Sequence, residues 1–156
     1  MKKLRSRLVM MTMVAMLAII GFSNSGDTLA GNTADATWSF SLSVSNSNIQ
    51  KITKREKTDT TKIYLQWSST YGGNLSAIYV SPYGANSLSG GSSPAGTSGG
   101  GEVFYRVPST GQYSLTNYVK ELGYGYATVG MKGAAGSGTA KGNWSPDSRY
   151  NYTILY

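Results

Sequence analysis

Thr37–Ser45 reads TWSFSLSVS: Trp38, Phe40, Leu42 and Val44 fall on one side of the chain and four serines on the other. A period of two held over this length specifies a half-buried strand. One solvated face belongs to an antiparallel sheet rather than a parallel one. The same alternation returns in short runs along the chain. Thr61–Ser69 places Ile63, Leu65 and Trp67 together, and Leu75–Tyr83 sets Ala77, Tyr79 and Ser81 against Ile78 and Val80. Glu102–Val107 is a strand stopped by Pro108. Gly125–Lys132 sets Tyr126, Thr128 and Gly130 against Ala127, Val129 and Met131. Thr139–Trp144 is a further strand, and Tyr150–Tyr156 puts Tyr150, Tyr152, Ile154 and Tyr156 on one face.

Beyond the N-terminal region the one helix candidate is Thr116–Gly123, TNYVKELG, with Thr116 as cap and Gly123 as a left-handed terminator. Eight residues make one or two turns at most. Seven or eight short strands with almost no helix specify an all-β chain, and an antiparallel β-sandwich is the economical packing, with a small β-barrel as the alternative. Gln50–Lys62, QKITKREKTDTTK, reads as a solvated hairpin or edge whose lysines discourage pairing with other chains. Glu56 and Asp59 within it find their simplest role in ion pairing. Tyr71-Gly72-Gly73-Asn74 and Ser109-Thr110-Gly111 are turn signals. Gly84–Gly101, rich in glycine and serine, predicts a long mobile loop within a single domain, and Gly133–Gly138 a shorter one.

The N-terminus has a different grammar. Lys2, Lys3, Arg5 and Arg7 precede an apolar run from Leu8 to Gly21, and a polar stretch ends in Thr28-Leu29-Ala30. This is the layout of a secretory signal peptide cut after Ala30, with Ala34-Asp35-Ala36 as a second small-x-small candidate. The apolar run is too short for a membrane anchor, which needs about 20 residues. The expectation is a secreted, extracellular protein of residues 31–156 without a transmembrane anchor. The chain has no cysteine, which suits export from a Gram-positive cell and leaves no disulfide or thiolate site.

Missing residues narrow the chemistry. No histidine occurs, which removes the usual general base of serine and cysteine hydrolases and, with cysteine also absent, both principal zinc donors. No phosphate-binding loop motif is present. No cofactor or metal is expected. The remaining catalytic route is a carboxylate pair drawn from Asp35, Glu56, Asp59, Glu102, Glu121 and Asp147. The formal charge of the whole chain is +7, and loss of the four leader cations and Asp27 leaves ten basic against six acidic residues. A mildly cationic exported chain is drawn to anionic wall polymer or a membrane surface, and no nucleic-acid partner is expected. Tyrosine is in surplus at twelve residues. Trp38 and Trp67 lie on clean apolar faces and read as core. Tyr124, Tyr126, Tyr150, Tyr152 and Tyr156 sit in glycine-rich or polar surroundings, better suited to an exposed binding face.

Lys141–Tyr150 reads KGNWSPDSRY. Ala140, Gly142 and Trp144 share one face of a strand, and Ser145-Pro146-Asp147-Ser148 is a type I turn candidate in which Asp147 or Ser148 bonds nearby backbone. Trp144, Asp147 and Arg149 are the corresponding binding candidates. Asn143-Trp144-Ser145-Pro146-Asp147-Ser148, the signal peptide and the TNYVKELGY segment resemble an uncharacterised family of small secreted proteins from Gram-positive bacteria, domain of unknown function 2712. A looser similarity is to the lactococcin-972-like bacteriocins, secreted β proteins without cysteine; this chain is longer and lacks histidine and their tryptophan-rich ending. Both resemblances imply a secreted β protein with no catalytic residue to carry over. The expected function is therefore non-enzymatic action at the bacterial cell envelope, binding or bacteriocin-associated. A carboxylate-pair hydrolase of wall glycans and an extracellular matrix component are the alternatives.

Overall fold

A computed structural model describes residues 31–45 and 48–156. The leader expected from sequence lies outside these residues. In chain order the strands are β1 (Ala36–Ser43), β2 (Gln50–Lys51), β3 (Arg55–Glu56), β4 (Ile63–Tyr71), β5 (Ala77–Ala85), β6 (Ser93–Pro94), β7 (Tyr105–Val107), β8 (Gly111–Leu115), β9 (Tyr126–Ala135), β10 (Ser137–Ser145) and β11 (Thr153–Leu155). One sheet has the order β1-β10-β4-β8-β11. In the other, β2-β9-β5-β6, β3 also pairs with β9 and β7 with β5. Neither sheet closes on itself, so the chain is a β-sandwich and not a barrel. All pairings are antiparallel except β11 with β8.

The alternating residues meet between the sheets. Trp38 and Leu42 from β1, Ile63, Leu65 and Trp67 from β4, and Leu115 and Trp144 face Ile78, Val80, Val107, Val129 and Met131. Each large apolar side chain removed from water contributes about 1.5–3 kcal/mol. Phe40 is half-buried against this core, while Val44, past the end of β1, is 60% exposed. Trp38 lies across from Gly142 in the β1–β10 register, and a Cβ on Gly142 would sit 3.0 Å from its ring and 1.7 Å from the Gln66 carbonyl oxygen. The room left by that glycine therefore serves first the close approach of the β4 backbone at Gln66 and then the Trp38 ring. The β10–β4 register shifts at the same place, between Lys141 and Gly142.

Several connections differ from the sequence expectation. Thr116–Gly123 is not a helix but one turn, in which the Leu122 amide donates to the Tyr118 carbonyl. Gly123 ends it at φ 82°, as expected, but Asn117 rather than Thr116 accepts from the Val119 amide. Val119 is buried, so tertiary packing holds the turn without helix propagation. Gly133–Gly138 is not a loop: β9 runs to Ala135, and Gly136 (φ 78°) makes a sharp corner into β10 in the opposite sheet. Asn74, in the β4–β5 corner, holds it by donating its amide to the Ser137 carbonyl and accepting from the Ser137 amide. Gln112–Leu115, left without an element by the sequence reading, pairs with β4 as part of β8. Within Gly84–Gly101, β6 folds back on β5 and buries Ala95, whose amide donates to the Pro82 carbonyl. Gln50–Lys62 supplies edge segments β2 and β3, both paired to β9. No helix among the described residues is long and apolar enough to cross a membrane.

Candidate functional site

Trp144 closes β10 opposite Ala36 and Leu65 and is 0% exposed. The chain then turns. Ser145 donates its hydroxyl to the Asp147 carbonyl, and Ser148 donates its own to the Tyr150 carbonyl. The Asp147 side chain does not serve this local turn. It points inward and is fully buried, with Oδ1 2.8 Å from Lys57 Nζ. Its Oδ2 accepts from the amides of Thr58 (3.0 Å) and Asn32 (2.6 Å) and from the Thr58 hydroxyl (2.8 Å).

Lys57 is equally buried. Its ammonium donates to the carbonyls of Thr61 (2.7 Å) and Pro146 (2.8 Å) and to Asp147. Those three acceptors match the three N–H groups of a charged lysine. Burial pushes the Lys57 pKa down, against the pull of Asp147. At Asp147 burial acts to raise the pKa, but the hydrogen bond from Lys57 and the Thr58 donors outweigh it and hold the carboxyl at about 2. A carboxylate with a depressed pKa stabilises the fold above its unfolded value and loses that contribution as pH falls through the folded value. Unfolding free energy should therefore drop by about 2 kcal/mol between roughly pH 4 and pH 2, with Asp147→Asn flattening that step. Denaturant melts across this window check it.

Above this ion pair opens a cleft of about 340 Å³. Its lining comprises Thr33, Ala34 and Asp35 from the chain ahead of β1, the tyrosines Tyr64, Tyr150 and Tyr152, and Ser145, Ser148 and Arg149 from the turn after β10. The Tyr64 and Tyr152 rings are 4.9 Å apart and tilted, and Tyr150 meets Tyr152 edge-on at 6.1 Å. Tyr150 is 67% exposed, whereas Tyr64 is buried, and burial with the nearby Asp35 charge raises its phenol pKa. Arg149 donates from Nε to the Thr33 hydroxyl at 2.8 Å. Ser114 accepts from the Tyr152 amide, tying the tyrosine segment to β8.

Of the residues singled out from sequence, Arg149, Tyr150 and Tyr152 thus share one cleft. Trp144 and Asp147 lie closed off from solvent. Tyr124 and Tyr126 do not line the cleft. Tyr124 covers Gly84, where a Cβ would come within 2.1 Å of its ring, and Tyr126 pairs with Glu56 and Ala85 in the other sheet. Sequence reasoning missed Lys57, Tyr64, Thr33 and Ala34 as site residues, and among site residues named Asp35 only as a candidate catalytic carboxylate. A second grouping, half-buried apart from the exposed Arg106, crosses three strands: Tyr79 is the register partner of both Lys132 and Arg106, and Lys132 Nζ lies 3.8 Å from the Phe104 ring centre.

No curated protein and no solved structure matches the chain. A family model does match, over residues 26–148, so it takes in Trp144 and Asp147 and stops before Arg149, Tyr150 and Tyr152. The chain that folds into this latched sandwich belongs to the DUF2712 family, described as a protein of unknown function.

Proposed function

We propose that the protein is a secreted, non-enzymatic binding module of the bacterial cell envelope, and that its cleft takes a polyanionic wall polymer built from sugar or polyol phosphates. The observation that carries this reading is that Arg149 lines an open cleft together with Tyr150 and Tyr152, the latter's ring backed by the buried Tyr64. A guanidinium suits a phosphate or carboxylate oxygen, and tyrosine faces suit sugar rings. Asp35 in the same cleft disfavours a ligand that is only anionic and accepts hydrogen bonds from hydroxyls, so the ligand carries both groups. The surface charge supports the same reading. Among the described residues the ion pairs within 4.0 Å are those of Lys57 with Asp59 and Asp147, which leaves the other cations to act on the surroundings.

The carboxylates support a non-catalytic role. Asp147 is saturated by Lys57, Thr58 and Asn32, which leaves its carboxylate engaged in holding the turn. A bacteriocin-associated role is the same envelope binding with a sensitive cell as its target. Purified protein should sediment with isolated Gram-positive walls at about 0.05 M salt and be released towards about 0.5 M, as screening shortens the reach of the charges. Walls stripped of phosphate polymer should retain less, and no soluble glycan fragments should form. Failure to sediment at low salt, or release of fragments, would contradict this reading.

A further inference from the structure

The structure assigns Gly31 as the mature amino terminus: we infer that cleavage after Ala30 frees an ammonium that pairs with Asp59 and fixes the Thr33–Asp35 lining of the cleft. Its consequence for ligand binding rests on the function proposed above; the pairing itself does not.

The argument begins with space. A Cβ on Gly31 would lie 2.4 Å from Asp59 Oδ2 and 2.6 Å from Asp147 Cβ, too close for any side chain. The leader signal asks for small residues before the cut and makes no such demand after it. The glycine at this position is therefore required by the folded chain.

Charge gives the second part. Standard bond lengths put a residue's nitrogen about 2.5 Å from its Cβ position, so the Gly31 nitrogen is within about 5 Å of Asp59 Oδ2. Asp59 Oδ1 accepts from the amide and hydroxyl of Thr61, and Oδ2 has no hydrogen-bond partner among the described residues. Lys57 is 4.0 Å from Asp59 Oδ1, but its three N–H groups already serve Thr61, Pro146 and Asp147. One cation thus stands beside two carboxylates. Hydrolysis of the Ala30–Gly31 bond places the water oxygen on the Ala30 carbonyl carbon and leaves a protonated amine on Gly31. An uncharged peptide nitrogen becomes a cation with three N–H donors at the one point where the cluster lacks one. Opposite charges at about 4–6 Å stabilise each other's ionised form.

Position gives the third. Asn32 donates to Asp147 from its amide and to the Glu56 carbonyl from its side chain, and Thr33 accepts from Arg149. Residues 31–35 are therefore strung between the buried ion pair and the cleft. A cut after Ala36, the other candidate, would remove all of these contacts and the first residue of β1.

The test compares a chain released from a fusion with Gly31 as its first residue and one that retains Thr28-Leu29-Ala30 with the Thr28 amine acetylated, which makes the extension uncharged. The Gly31 chain should melt about 3–5 °C higher at pH 7, and Asp59→Asn should abolish the difference. Its terminal amine, followed by NMR, should titrate about one unit above the ordinary range of roughly 7.7–8.0. The extended chain should bind walls several-fold more weakly. Equal melting temperatures, a difference that survives Asp59→Asn, or an exported protein whose mass begins at Thr37 would overturn the assignment. If the Gly31 chain melts higher yet does not bind walls, the pairing stands and the proposed function falls.

Discussion

Asp147→Ala should destabilise the protein by about 3–5 kcal/mol, the range for breaking one partner of a buried ion pair. The loss has identifiable parts. Lys57 would keep its burial and its two carbonyl acceptors but lose Asp147, its fully buried counter-charge. The amides of Asn32 and Thr58 would lose an acceptor at the same time. A domain of this size has about 5–15 kcal/mol of stability in total, so the change removes a large share. Lys57→Met combined with Asp147→Leu should recover part of the loss, because no unpaired charge then remains inside. Denaturant unfolding of the three variants checks this. A loss below about 1 kcal/mol for Asp147→Ala would mean that the pair does not hold the turn.

Trp144→Ala should cost a similar 3–5 kcal/mol, since the indole is fully buried and its removal leaves a large cavity. Trp144→Phe should cost less, about 1–3 kcal/mol, because the smaller ring leaves a smaller cavity. The indole N–H has no hydrogen-bond partner among the described residues, so exchanging it for a carbon edge forfeits shape but no bond. Both variants report on packing. If either abolished wall binding with an unchanged melt, Trp144 would be a ligand contact and not a core residue.

The longer strands and their inward faces were legible because the signal is local; the expected Tyr150–Tyr156 strand shortens to Thr153–Leu155, where Leu155 and not Ile154 is buried. Ile63, Leu65 and Trp67, or Ala127, Val129 and Met131, declare their face by alternation alone, and all six are in the core. Elements defined by distant partners were not. Gln112–Leu115 is too short to announce β8 beside a glycine turn, and it becomes a strand through its pairing with β4. Gly136 looks like loop composition until the corner against Asn74 shows why a glycine stands there: a Cβ would meet the Asn74 carbonyl oxygen at 2.2 Å.

The site divides along the same line. Arg149, Tyr150 and Tyr152 are close neighbours in sequence and reach the same cleft. Lys57 sits in a cationic run where solvation is the natural expectation, and its burial is decided by a carboxylate 90 residues away. Tyr64 alternates with Ile63 and Leu65 and gives no sign of facing Asp35. The motif NWSPDS thus has a structural basis in the buried Trp144 and the Lys57–Asp147 latch, while the groups open to a ligand begin at Arg149.

The most direct measurement is wall binding by a double variant, Arg149→Ala with Tyr150→Ala, set against its melting temperature. Tyr150 is largely exposed, and among the described residues Arg149 makes one hydrogen bond, to Thr33. Folding should therefore be nearly unchanged while binding to phosphate-polymer walls falls about tenfold or more, the equivalent of roughly 1.4 kcal/mol or above. Wild-type affinity in a variant that still folds would contradict the claim that this cleft is where the protein meets the envelope.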